Sequence, residues 1–267
     1  MQSLPFVSRH ESREETIVLL HGAFSSYHAF DAIVPRLSQF HLLIPEHTAF
    51  TQDPRFSLGD LVEAITDIIE KHAHNAQAHL VGHSFGGHLA LRVAGRIPDR
   101  IPSVFASGVN RLPPPSAMGC SESFLPYLVL LSEKARWTIP HIIFKYATLG
   151  QLTQPIEGSR PATLQQIKNI LTSISMEQRF LQVQARVCLV VASKSGGLFE
   201  DPDSIRDARS VFREARATPG CADRCVSHPQ LTHTWQDTDP DLFTRTAEAL
   251  IQGDPLDKGF VDIPLDD

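Results

Sequence analysis

The chain has 267 residues, 42% of them hydrophobic and 20% charged, enough to bury one large core. Its 24 basic side chains are outnumbered by 30 acidic ones for a net charge of −6, with Lys and Arg scattered, which excludes the basic footprint of a phosphate-backbone binder. Apolar runs fall short of the ~20 residues that cross a bilayer, and the opening MQSLPFVSRHESREET lacks a basic segment followed by an apolar one, so a cytoplasmic protein with no secretory signal or membrane span is expected.

In chain order, TIVLLH (16–21) and HLLIP (41–45) are nearly continuous apolar runs and predict strands covered on both faces. A helix is predicted over 57–72, where Leu58, Leu61, Ile65, Ile68 and Ile69 share one face. AHLVGH (78–83) predicts a strand, 85–96 a helix and SVFASG (103–108) another strand. From Asn110 to about Leu181 the alternation stops: RLPPPSAMG reads as an irregular exit, and helical stretches follow near 122–135, 137–149 and 162–175. Because this insertion leaves the C-terminal end of a strand, where ligands of open α/β sheets bind, it reads as a helical cap, with extra core helices as the alternative. Its apolar side chains Phe124, Leu125, Tyr127, Leu128, Trp137, Ile142, Ile143 and Phe144 suit either a greasy pocket or the cap's own core.

Strand and helix then resume with RVCLVVAS (186–193), a helix over 203–216, RCVSH (224–228) and a helix over 240–252. The expectation is an α/β protein with a mostly parallel central sheet flanked by helices and joined by right-handed crossovers. Residues 1–109 and 182–267 form its core domain and 110–181 its cap. Four cysteines, Cys120, Cys188, Cys221 and Cys225, fit reduced thiols. Cys221, Cys225 and the nearby His228 do not make a zinc spacing, and no metal or organic cofactor is expected.

The chemistry concentrates at Gly82-His83-Ser84-Phe85-Gly86, a G-x-S-x-G pattern that follows a strand and opens a helix. There a tight turn lifts the serine hydroxyl above the sheet, the glycines remove side chains that would collide, and the helix N-terminus favours developing negative charge. A phosphate loop fits poorly, since neither Gly-x-Gly-x-x-Gly nor a Gly-Lys-Ser/Thr ending is present. A serine nucleophile needs a base within hydrogen-bond reach. Among 13 histidines, His233 lies between the last strand and the final helix, where the order Ser, acid, His puts the base. His83 is expected to point away, and His10, His28, His41, His47, His72, His74, His79, His88 and His141 are read as surface or structural.

With LLHGAF (19–24), GHSFGG (82–87), and HTW with PDLF (233–243), the chain resembles the α/β-hydrolase fold superfamily over about residues 16–252, the cap excepted. HTWQDTDPDLF also resembles a group of small fungal hydrolases. The resemblance implies an oxyanion hole made by the backbone N–H groups of Ala23 and Phe85, with Tyr27 and His28 either lining the pocket or on the surface. It also implies an acid about four residues past the strand VCLVVAS, yet SKSGG supplies only glycine there. Downstream lie Glu200, Asp201, Asp203 and Asp207; Asp203 takes the family position if the loop is longer, with Asp201 as competitor. Asp203 as a helix N-cap, and Asn110 as an orienting amide for the histidine, are the alternatives.

The function these residues imply is a serine hydrolase acting on a small or medium, largely apolar ester, lactone or thioester, with Ser84, His233 and Asp203 as its triad. A lyase or cyclase on the same fold, or a ligand-binding protein with little chemistry, is the alternative.

Overall fold

The protein is described from a computed structural model that places residues 3–111, 125–138, 161–176, 179–194, 203–216, 220 and 223–265. Eight strands form one sheet in the order β1-β3-β2-β4-β5-β6-β7-β8. β2 (Thr16–Leu20), β3 (His41–Pro45), β4 (His79–His83), β5 (Ser103–Ser107), β6 (Arg186–Ala192) and β7 (Arg224–His228) run parallel. β1 (Phe6–Arg9) and β8 (Val261–Asp262) add antiparallel edges. The predicted strands agree with the structure to within a residue at either end. β1 and β8 were not expected from the sequence, because short edge strands, exposed or half-buried, carry no continuous apolar run.

Within β2, alternate side chains feed opposite cores. Ile17 and Leu19 pack with Phe30, Leu37, Trp235 and Phe243 on one face, Val18 and Leu20 with Leu61, Ile65, Leu89 and Phe212 on the other. The second face is covered by α2 (Leu58–His72), α3 (Phe85–Arg96) and α6 (Ile205–Ala215). α2 buries the predicted stripe, and its first turn is capped by Ser57 Oγ accepting the Asp60 N–H at 3.3 Å. The first face receives the short α7 (Trp235–Thr238) and α8 (Pro240–Gln252), the latter begun by the Asp239 cap and stopped by Gly253 at φ +81°.

Helices α1 (Thr48–Gln52), α4 (Leu125–Thr138) and α5 (Leu164–Met176) lie outside the strand–helix alternation. α5 is tied to the core through amides: Gln166 Nε2 donates to Thr51 Oγ1 at 3.0 Å, and Asn169 Nδ2 donates to the carbonyls of Thr51 and Asp53 at 2.9 and 2.8 Å. On α4, Tyr127 and Leu128 are 52% and 62% exposed. That corrects the expectation that they line a pocket or a cap core. Phe124, Ile142, Ile143, Phe144 and most of the stretch read as helix at 137–149 lie outside the described residues.

Candidate active site

After β2 the chain turns to β3 on one side, and β4 then starts on the other, so the strand order reverses between β2 and β4. Ligands of open α/β sheets bind above such a switch point, at the strands' C-terminal ends. Ala23 follows β2 there, and Ser84 stands between β4 and α3.

Ser84 has φ +54° and ψ −118°, a conformation that costs a side-chain-bearing residue of order 1–3 kcal/mol. The turn is overdetermined by its surroundings: the Ser84 N–H donates to the Ser107 carbonyl at 2.7 Å, and Ser84's own carbonyl accepts from Gly87 and His88 at 2.9 and 3.2 Å. A Cβ on Gly86 would fall onto the Leu20 carbonyl, and Gly82 sits with its backbone against Gly86. The glycines on both sides of the serine are thus what lets α3 start this close to β2. Phe85 and Gly86 lead α3, where the first N–H groups have no intrahelical acceptor.

His233 Nδ1–H donates to Asp203 Oδ1 at 2.6 Å. The same carboxylate accepts the Asn110 Nδ2–H on Oδ1 and the Ala192 N–H on Oδ2, each at 3.1 Å. Asp203 is 5% exposed. Burial alone would raise its pKa, but the charge and hydrogen bond of His233, with the Ala192 and Asn110 donors, pull it below the ordinary carboxylate value. The helix cap that Asp203 offered from sequence is made instead by Ser204, whose Oγ accepts the Asp207 N–H at 3.1 Å. Asp207 accepts the Arg111 N–H at 3.0 Å, whereas Glu200 and Asp201 lie outside the described residues. Asn110, expected to orient the imidazole, bonds the carboxylate. Gly108 makes room for the pair: at φ +69° it passes His233 so closely that a Cβ would come within 2.7 Å of Cε1.

His83 is not turned away from the site. Its Nε2–H donates to the His233 carbonyl at 2.7 Å, and the two rings are 4.8 Å apart. Burial and the neighbouring His233 push its pKa down to about 3, so it is a neutral strut. His88 was likewise read only as structural, yet it reaches the cavity wall; burial and Arg92 lower it to about 3, and its Nε2–H donates to the Asn110 carbonyl at 3.0 Å. Neither role leaves a spacing signal in the sequence. Beneath the Gly22-Ala23 loop, His21 and His47 stack at 3.7 Å, with His47 Nε2–H donating to the His21 carbonyl at 3.1 Å. Glu46 accepts the N–H groups of Tyr27 and Thr48 at 3.1 and 3.0 Å, which fixes the start of the segment holding Tyr27 and His28.

A cavity of about 250 Å³ unites these parts. Ser84, His233, Asp203, Asn110 and His88 supply its polar lining, and Ala23, Phe24, Phe85 and Gly108 flank them. Ile170, Leu171 and Ile174 of α5 form an apolar wall. Tyr27 and His28 are not among its described lining residues. Cys188 and Cys225 are free and buried, and Cys221 lies outside the described residues, as does Cys120. Among the described residues no group of three or more His, Cys, Asp or Glu side chains could hold a metal ion, and no helix is long and apolar enough to cross a membrane.

A mostly parallel sheet with a strained serine at the switch point is the architecture of the α/β hydrolases, and a sequence model described as alpha/beta hydrolase fold matches residues 15–129. An AB hydrolase superfamily protein of Gibberella zeae is 29% identical over 265 residues, covering 97% of this chain and 88% of that protein. Among solved structures, a marine microorganism esterase superposes with a TM-score of 0.63 at 16% identity, covering 94% of this chain and 98% of its own. The enol-lactonase from Burkholderia xenovorans gives 0.63 at 15% identity, covering 93% and 96%. The chain has the α/β-hydrolase fold.

Proposed function

We propose that this chain is a serine hydrolase that cleaves small, largely apolar esters, lactones or thioesters through an acyl-enzyme. The observation that carries the reading is the His233–Asp203 hydrogen bond of 2.6 Å at the wall of the cavity onto which Ser84 opens. The carboxylate fixes the tautomer with the proton on Nδ1, leaving Nε2 as the basic nitrogen. Ser84 Oγ attacks the acyl carbon while His233 Nε2 takes its proton. The N–H groups of Ala23 and Phe85 receive the oxyanion, each worth about 2.7–4 kcal/mol in such transition states. His233 then protonates the leaving group, and water activated by the same nitrogen releases the acid and restores Ser84.

The wall of Ile170, Leu171 and Ile174 suits an apolar acyl chain, and a cavity of about 250 Å³ is below the usual range for drug-sized ligands, which favours a short one. The names of the esterase and enol-lactonase structural neighbours agree with this substrate class. Residues 110–181 act as the cap that selects the substrate, with α5 as its fixed wall. A reducing, cytoplasmic location accords with the free buried thiols of Cys188 and Cys225.

The test is covalent labelling with a fluorophosphonate probe alongside turnover of p-nitrophenyl acetate, butyrate and octanoate, with Ser84→Ala as control. Labelling at Ser84 with turnover favouring the shorter esters is expected. Labelling without turnover turns the reading toward lyase or cyclase chemistry, and an unlabelled, folded protein toward ligand binding.

A further inference from the structure

Asp203 stands eleven residues beyond Ala192, the last residue of β6, well past the point where the motif leads one to expect an acid. A carboxylate on a longer connection needs other groups to aim it. Ala192 supplies two contacts, accepting the Asp203 N–H and donating to Oδ2, both at 3.1 Å. The third comes from a different strand: Asn110, just past β5, donates through Nδ2 to Oδ1, the oxygen that also receives the His233 proton.

Asn110 is itself held at every polar group. Its N–H donates to the Gly108 carbonyl at 3.1 Å, its carbonyl accepts from His88, and its side-chain Oδ1 accepts the Ser204 N–H at 2.8 Å. The orientation of the amide follows from its partners, since an N–H can only be met by oxygen and a carboxylate only by NH2. The amide therefore bridges the end of β5 to the residues on which α6 begins.

We propose that Asn110 is a positioning residue that holds the Asp203 carboxylate against His233 and acts on the chemistry only through Asp203. The proposal rests on the serine-hydrolase reading. A merely structural tie between β5 and α6 would matter equally whether or not residue 203 is an acid; a positioning residue matters only while the acid is there.

The rate of Ser84 labelling by a fluorophosphonate, measured on the full chain with melting curves for each variant, separates the two. Asn110→Ala is expected to slow labelling about tenfold in the parent and by less than about twofold in Asp203→Ala. Asn110→Asp is isosteric and still accepts the Ser204 N–H, and a proton shared with Asp203 at low pH takes the place of the lost donor, which keeps this variant folded where the alanine variant is not. Where both carboxylates are ionised, at the high-pH end of the profile, residue 110 repels Asp203 instead of holding it, so the plateau rate of labelling falls about tenfold and the pH midpoint departs from the parental one. Equal losses from Asn110→Ala in both backgrounds, or a parental midpoint and plateau in Asn110→Asp, overturn the proposal while leaving the hydrolase reading intact. A parent that is not labelled at Ser84 overturns both.

Discussion

Asp203→Asn keeps the shape of the side chain and removes only what the carboxylate does. In the parent, three N–H donors converge on the acid: His233 Nδ1 at 2.6 Å, Asn110 Nδ2 at 3.1 Å and the Ala192 N–H at 3.1 Å. An amide has one accepting oxygen, so its NH2 must face a donor whichever way it turns. With the oxygen toward Ala192, the NH2 meets Asn110 Nδ2 and His233 Nδ1; the imidazole then carries its proton on Nε2 and cannot take one from Ser84. With the oxygen toward His233, the Ala192 N–H is left facing an NH2 inside the protein. A buried donor without an acceptor costs about 1–3 kcal/mol, and the wrong tautomer lowers kcat by about 10⁴ in triads of this kind. The assay is p-nitrophenyl butyrate hydrolysis with thermal melting. A kcat loss of about 10³-fold or more, a lower Tm, and KM within about threefold are expected, because the α5 wall is untouched. Activity within about tenfold of the parent would refute the assignment of Asp203.

Because Ser84 has φ +54°, Ser84→Gly should melt higher than Ser84→Ala, the reverse of the usual order; equal or inverted melting would show that the elbow stores no strain. Gly86→Ala drives a methyl into the Leu20 carbonyl and is expected to destabilise by at least about 2 kcal/mol in urea titrations, where a neutral result would contradict the close approach of α3 to β2. Ile170→Ala cuts back the apolar wall and enlarges the cavity, so kcat/KM should shift toward octanoate over butyrate, and an unchanged preference would remove α5 from substrate selection. His79, His83 and His88 have folded pKa values depressed to about 4, 3 and 3, so the unfolded chain binds more protons below its own value of about 6.5. Their stabilisation is complete above that value and is lost as pH falls toward the folded ones, and Tm measured against pH should be level near neutrality and drop steadily below about 6.5. A Tm that holds level down to about pH 4 would contradict their burial as neutral rings.

The parallel strands and the helices beside them were legible because each strand is an apolar run and each helix carries one apolar face, as in TIVLLH and in Leu58, Leu61 and Ile65. The elbow was legible for a steric reason, since glycine at 82 and 86 is what a strand turning sharply into a helix requires. Asp203 could only be narrowed to a short stretch, because its place depends on how a lengthened loop closes onto Asn110 and Ala192, contacts that join residues about 93 and 11 positions apart. His83 and Asn110 were misread in direction for the same reason. Each hydrogen-bonds to a partner remote in sequence, His83 to the His233 carbonyl and Asn110 to the Asp203 carboxylate, and hydropathy does not report such bonds.

In the proposed mechanism Ser84 becomes covalently acylated with His233 as its base. Acid-quenched mass spectrometry during turnover of p-nitrophenyl butyrate tests it directly. A butyryl adduct is expected on the peptide holding Ser84, and it should fail to accumulate in His233→Ala. Product release with no adduct on Ser84 at any quench time, or an adduct that forms as fast without His233, would contradict it.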